Sequence, residues 1–336
     1  MASPTITMDR TTRRIAAMLP DLLRATQDAA LACRPFVGRG DCCAADAAAV
    51  AALRQSLGGC PGTGTVVAGE GEKDAAPMLC LGESVGAGGP PMFDLAVDPL
   101  ENTTACARAS EGAIAVVATA PGGTMWSSPA WYVDKLVVPA EAADAVDIRW
   151  PVERLVAAVA ECRTKAVTDL VAVVLDKPRH VELVGRLRAC GVAVALIADG
   201  DILGALRVVL PDGDADLLVG IGGAPEAVIT ACSVQVLGGG MQIRLAPQSP
   251  AESARIAGPA DAVLGLDQMV ASDDCAVAMT GITSCGLLDA PVRSPDGWTT
   301  HSLGLASGQP VQRITAHHVI PNPPRDPQRS VRCLTS

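Results

Sequence analysis

From Pro151 onward the sequence alternates apolar runs with amphipathic stretches, and this rhythm limits the available folds more than any other feature. Leu170 to Leu175, Val192 to Ala198 and Leu217 to Ile221 are apolar throughout, so each reads as a strand covered on both faces. Helical stretches separate them, one carrying Leu183, Leu187 and Cys190 and another near Ile202 to Val209. Pro151 opens a further helix with Val152, Leu155, Val156 and Val159 on one face. Such strands, alternating with helices, belong in a parallel, doubly covered sheet. Sheets of that kind bind ligands outside the carboxyl ends of their strands.

Polar residues gather at those ends. Asp176-Lys177-Pro178-Arg179-His180 follows the first strand, Asp199-Gly200-Asp201 the second and Gly222-Gly223-Ala224-Pro225-Glu226 the third. Lys177 and Arg179 suit a phosphate, and the Gly222-Gly223 backbone entering a proline-started helix offers N–H groups to an anion. Glu226, in that first turn, can reach back to a metal. His180 fits equally a helix start or a ligand.

The first half carries a second concentration of chemistry, Asp98-Pro99-Leu100-Glu101-Asn102-Thr103. Phe93 to Val97 reads as a buried strand that Pro99 ends. Two carboxylates and a hydroxyl so close together are the parts needed to hold a hard cation and orient an attacking water, although an acidic turn capping a helix has the same residues. Upstream, residues 9 to 33 read as a helix that Pro20 breaks or kinks, and an Ala-rich helix from about Ala44 to Leu57 carries Asp46 in its first turn. The strand Thr65 to Ala68 runs into Gly69-Glu70-Gly71-Glu72, where Glu70 has no packing role. Strands are also expected over Gly112 to Thr119 and Ala130 to Val137. The latter holds Tyr132, the chain's only tyrosine, which by itself reads first as a sheet residue with an exposed hydroxyl. The glycines form neither a Walker loop nor a dinucleotide fingerprint. After an Ala/Pro-rich loop or weak helix from 246 to 262, a last strand set includes 276 to 282 and 311 to 319, with His317 and His318 on opposite faces.

Composition narrows the partners. A net charge of −10 argues against nucleic acid or an anionic membrane as the main partner, while leaving room for a local basic pocket. Aromatics make up 2% of the chain, so the core is built from Ala, Val, Leu and Cys. None of the twelve cysteines forms a C-x-x-C pair, and they read as reduced, mostly buried residues of a cytoplasmic protein. The four histidines form no spaced cluster with cysteine. No signal-like N-terminus or long uninterrupted apolar run is present. The expected organisation is an N-terminal α+β metal-binding half over 1–150, a C-terminal α/β half over 151–320 and a mobile tail over 321–336.

Seven ordered motifs together carry a resemblance: G-R-G-D followed by Asp46, G-E-G-E around Glu70, D-P-x-E-x-T from Asp98 to Thr103, W-Y-x-D-K-L around Tyr132, K-P-R-H at 177–180, D-G-D at 199–201 and G-I-G-G-A-P-E at 220–226. Over roughly residues 24 to 320 the chain resembles a class II, GlpX-type fructose-1,6-bisphosphatase of the lithium-sensitive sugar phosphatase superfamily. The resemblance implies a layered α/β/α/β/α fold, a homo-oligomer and a place in carbohydrate metabolism. It further implies removal of the 1-phosphate of fructose 1,6-bisphosphate by a metal-activated water, with Mg²⁺ or Mn²⁺ as cofactor. Carried over by position, Asp46, Glu70, Asp98, Glu101 and Glu226 are the metal carboxylates, and Thr103, Glu70 and Asp46 the catalytic set. Glu101, Asn102, Thr103, Tyr132, Lys177, Pro178, Arg179, Asp199, Gly200, Asp201 and Gly223 then hold the sugar phosphate.

The departures from the family pattern bear on substrate. Cys42-Cys43-Ala44 stands where relatives carry Lys-Asn-Thr, and Asn102 where they carry glycine. The two cysteines read as small apolar filler or as reactive thiols at a helix start. Two other functions share the same parts: a phosphatase for another sugar or cyclitol phosphate, such as sedoheptulose 1,7-bisphosphate, and a sugar-phosphate-binding protein with weakened catalysis.

Overall fold

The computed structural model describes residues 14–69, 79–256 and 262–319. Glu70, the tail over 321–336 and the first thirteen residues lie outside the described part. The described strands are β1 (Gly62–Ala68), β2 (Ser84–Gly88), β3 (Met92–Glu101), β4 (Ile114–Pro121), β5 (Tyr132–Val138), β6 (Val171–Leu175) and β7 (Ala193–Ile197). They continue with β8 (Leu217–Gly223), β9 (Gly240–Leu245), β10 (Val263–Gly265), β11 (Ala276–Gly281), β12 (Val292–Ser294), β13 (Gly297–Ala306) and β14 (Gln312–Val319). The helices are α1 (Leu19–Cys33), α2 (Cys42–Gly58), α3 (Thr103–Arg108), α4 (Val152–Arg163) and α5 (Val181–Ala189). After them come α6 (Asp201–Val209), α7 (Ala224–Leu237), α8 (Pro250–Arg255) and α9 (Leu266–Met269).

Two sheets result. An eight-stranded sheet runs β12-β13-β11-β4-β3-β1-β2, with β14 also on β13, and a six-stranded sheet runs β10-β9-β5-β8-β6-β7. The strands β8, β6 and β7 are parallel, as their apolar runs require, and β5 and β9 extend that sheet in antiparallel fashion. Thus β5 lies before residue 150 yet belongs to the second sheet, while β11 to β14 return to the first.

The alternation of side chains along each strand builds the layers. Leu95, Val97, Ala115, Val117, Ala276 and Ala278 pack on α1 and α2, whereas Ala96, Val116, Val277 and Met279 face the other way. That second face meets α6 and α7, which also cover Val133, Val137, Val173 and Leu218 of the second sheet. On the far side Leu136, Ala172, Val174 and Val219 pack against Leu155, Val159 and Leu187 of α4 and α5. The order is helices, sheet, helices, sheet, helices. Full burial of a Leu or Val side chain stabilises by about 1.5–3 kcal/mol, so three apolar seams hold the layers together.

Several local expectations change. Pro20 sits in the first turn of α1 and starts it, because the ring presets a helical φ and its missing N–H has no helical partner there. Pro99 does not end β3, which continues to Glu101. The β3–β4 register shifts between Asp98 and Glu101, and pairing with β1 stops at Ala96, so the absent N–H breaks no ladder bond. Asp46 is the fifth residue of α2, two positions deeper than expected and so past its first turn, since the helix starts at Cys42 with Asp41 as its cap, accepting from the Ala44 N–H at 2.9 Å. Of the eleven described cysteines five are buried, fewer than expected, and all are free.

Candidate functional site

The carboxyl ends of β3, β6, β7 and β8 point their connecting turns at one region, and the central helices α6 and α7 start there. Glu101, the last residue of β3, is 4% exposed. Its Oε1 accepts from the Ile202 N–H at 3.5 Å, and its Oε2 is buried without a hydrogen-bond partner among the described residues. Asp201, the first residue of α6, is buried, and Glu226 lies in the first turn of α7. Asp201 Oδ1 and Glu226 Oε2 share the condition of Glu101 Oε2.

Burial raises the Glu101 carboxyl well above its usual range, and the charges of Asp201 and Glu226 raise it further. Glu226 is raised by burial, partly offset by Lys135, and pushed up again by Asp201 and Asp199. The counter-charge is Lys135, 1% exposed, whose Nζ lies 2.6 Å from Asp201 Oδ2. Lys135 lies within the W-Y-x-D-K-L motif, where only its neighbour Tyr132 stands out as a site residue. The signal was there, because Val133, Lys135 and Val137 share the face of β5 that packs on the central helices. A lysine between two buried valines is out of pattern.

Glycine makes the space. A Cβ on Gly222 would overlap Asp201 Oδ2 and come within 3.1 Å of Lys135 Nζ, and one on Gly223 would overlap the Glu226 carboxylate. Both glycines lie in β8, paired with Val133 and Tyr132, and the next N–H, that of Ala224, donates to the Trp131 carbonyl at 2.9 Å.

Beside this acidic cluster lies a cationic shelf. Lys177 pairs with Asp199 at 2.8 Å, both partly exposed. Arg179 donates to the Ile221 carbonyl through Nε and Nη2 at 3.2 and 2.9 Å, and its guanidinium sits 5.2 Å from the centre of the Tyr132 ring. Pro178 begins the one-turn 3₁₀ helix Pro178–His180 that carries Arg179. His180 resolves as a structural residue. Its Nδ1 bonds the Leu175 carbonyl at 2.8 Å and its Nε2 accepts the Ile221 N–H at 2.7 Å, tying β6 to β8. Burial lowers its pKa, which matches a neutral ring with the proton on Nδ1.

Asn102 adopts the left-handed conformation at φ 65°, which glycine and asparagine tolerate best, and its Oδ1 accepts from the Ala105 N–H at 3.0 Å to cap α3. The side chain that departs from the family pattern is therefore used in starting the helix. Thr103 is the first residue of α3, and the buried Asp98 accepts from the Leu100 N–H at 3.1 Å. Gly200, at φ 85°, caps α6 ahead of Asp201. Asp46 lies near the end of α1, where its charge adds to the contact with Cys106 and the burial that raise the Cys33 thiol. Cys43 is exposed and Cys42 partly so, which removes the filler reading for Cys43.

A buried carboxylate on α8 was also missed. Glu252 is fully buried, and its Oε1 accepts from the Trp131 and Tyr132 N–H groups at 2.9 and 2.8 Å, with Oε2 accepting from the Gln248 N–H at 2.7 Å. It fixes the start of β5, where Tyr132 sits.

The donor set fits a hard divalent cation. Buried carboxylate oxygens without partners are what such an ion requires, although among the described residues no group of three or more His, Cys, Asp or Glu side chains is placed so as to hold one. Glu101, Asp201 and Glu226 converge with Lys135; the shelf holds Tyr132, Lys177, Arg179 and Asp199 alongside.

Comparison with known proteins identifies the family. The family model for bacterial fructose-1,6-bisphosphatase, glpX-encoded, matches residues 16–318. The chain is similar to the fructose-1,6-bisphosphatase class 2 of Haemophilus influenzae, 35% identical over 321 residues that cover 90% of this chain and 96% of that protein. It is equally similar to the fructose-1,6-bisphosphatase 1 class 2 of Escherichia coli K12, 35% identical over 328 residues covering 93% and 97%. With its layers, its strand-end cluster and a match along almost its whole length, the chain belongs to the glpX-encoded bacterial fructose-1,6-bisphosphatase family.

Proposed function

We propose that the protein is a phosphoric monoester hydrolase that converts fructose 1,6-bisphosphate and water into fructose 6-phosphate and phosphate, with Mg²⁺ or Mn²⁺ as cofactor. The observation that carries this reading is the set of buried carboxylate oxygens on Glu101, Asp201 and Glu226 beside the Lys177 and Arg179 shelf. Asp46, Glu70, Asp98, Glu101 and Glu226 would hold the cation, which lowers the pKa of water and offsets charge on the phosphoryl oxygens.

The chain's own residues divide the remaining work. Lys177 and Arg179 bind the phosphate that is not hydrolysed, Arg179 being held by the Ile221 carbonyl and the Tyr132 ring. Asp199 and Asp201 accept from sugar hydroxyls, with Gly200 and Gly223 admitting the sugar closely. Thr103, at the start of α3, orients the attacking water through its hydroxyl. The water oxygen bonds to phosphorus as the bond to O1 of the sugar breaks, and the proton ends on the leaving alkoxide.

The net charge of −10 favours an enzyme without nucleic-acid partners, and a cytoplasmic homo-oligomer remains part of this reading. Among the described residues no helix is long and apolar enough to cross a membrane.

The test is phosphate release from fructose 1,6-bisphosphate, sedoheptulose 1,7-bisphosphate and a panel of sugar monophosphates, with each metal in turn. Preference for the first substrate is expected. Turnover of another ester alone would reassign the pocket, and binding without turnover would make the protein a sugar-phosphate binder.

A further inference from the structure

We propose that Lys135 is an internal counter-ion of the acidic cluster, a positioning residue that anchors Asp201 for the sugar phosphate and sets how strongly the cluster attracts a divalent cation. The inference rests on the reading of this cluster as the metal and substrate site.

The strand pattern is the first argument. Val133 and Val137 are fully buried on the face of β5 that meets α6 and α7, and Lys135 occupies the equivalent place between them. Packing alone would favour an apolar side chain there, since a buried ion pair is often no more stabilising than well-packed hydrophobic residues. The second argument is the surroundings. The ammonium meets Asp201 Oδ2 at 2.6 Å, which leaves Asp201 Oδ1 as the oxygen without a partner among the described residues. Glu101 and Glu226 lie within its field, each with one buried oxygen in the same condition. The one ammonium thus offsets part of the negative charge that these carboxylates present to a divalent cation. The third argument is Gly222, since a side chain there would occupy the space of this ion pair.

A structural role and a counter-ion role differ in sign. Removing a positive charge near metal-binding carboxylates strengthens their attraction for a cation, whereas loosening the fold weakens it. The experiment measures Mn²⁺ binding directly, from the electron paramagnetic resonance signal of free Mn²⁺, on the full chain at fixed pH and ionic strength. The Lys135→Met variant should bind Mn²⁺ about tenfold more tightly, while KM for fructose 1,6-bisphosphate rises about tenfold because Asp201 has lost its anchor. Unchanged or weaker Mn²⁺ binding overturns the proposal. Should that variant fail to fold, the Lys135→Met, Asp201→Asn pair removes both charges together. Mn²⁺ affinity within about threefold of the unaltered protein then supports the counter-ion role, and any larger loss overturns it. If the unaltered protein itself binds no Mn²⁺, the metal reading fails and this inference with it. If it binds and the variants do not respond as stated, only the inference fails.

Discussion

Thr103 shows what one position contributes through its place in the chain. It is the first residue of a six-residue helix whose cap is Asn102 and which follows the bulged end of β3, so its hydroxyl is set by backbone on both sides. Thr103→Ala should lower kcat about a hundredfold with KM nearly unchanged, because the methyl-sized side chain keeps the helix but cannot orient water. Steady-state kinetics check this, and equal losses in kcat and binding would remove the role. His180 makes a different kind of prediction. Its lowered pKa means the unfolded chain takes up the proton first. The stability it contributes is therefore complete above the ordinary value of 6.5 and is lost as pH falls through the lower, folded value. Its ring, followed by NMR, should titrate below 6.5; titration at or above that value would contradict the neutral, doubly bonded state. At this scale the sequence revealed most of the acidic and basic residues, because strand ends can be located from apolar runs. Lys135 and Glu252 stayed hidden, since their meaning lies in partners distant along the chain.

Among the elements, α8 illustrates how a weak local signal can conceal a strong tertiary one. Its six residues have little helical persistence of their own, and Ser249 caps the Glu252 N–H at 3.1 Å. What holds it is Glu252, which accepts three backbone N–H groups and so joins α8 to the start of β5. Glu252→Ala would leave those donors unpaired and should destabilise the protein by about 3 kcal/mol, raising KM through displacement of Tyr132. Chemical denaturation and kinetics on the same samples would separate the two effects, and a loss under about 1 kcal/mol would show the contact to be dispensable. The long apolar elements were legible because their period declares itself: β6, β7, β8 and α4 fall within a residue or two of their expected places. β9 and β13 were not, because Gly240 to Leu245 and Gly297 to Ala306 mix polar and apolar residues according to neighbours that only the assembled sheets supply.

For the whole molecule, the acidic cluster lies where the two sheets and the central helices meet, so its ionisation is coupled to folding. Glu101 and Glu226 have raised pKa values, and the unfolded chain therefore ionises first as pH rises past about 4.5. The metal-free fold loses stability from that pH upward to the folded values, while a bound cation favours the ionised form and opposes the loss. Mn²⁺ should accordingly raise Tm more at about pH 8 than at about pH 5.5, with chelation reversing the effect; an equal rise at both would disconnect the metal from these carboxylates. The sequence by itself determined that β6, β7 and β8 form a parallel sheet covered by helices, and located the strand ends at which chemistry gathers. Those features follow from hydrophobic period and from turn residues, which act locally. Only the tertiary structure decided that β5 crosses to the second sheet, that Pro99 lies within a strand, and that Lys135 stands among the carboxylates with glycines making its room. Burial, register and charge pairing between residues far apart in the chain come into being only when the layers close.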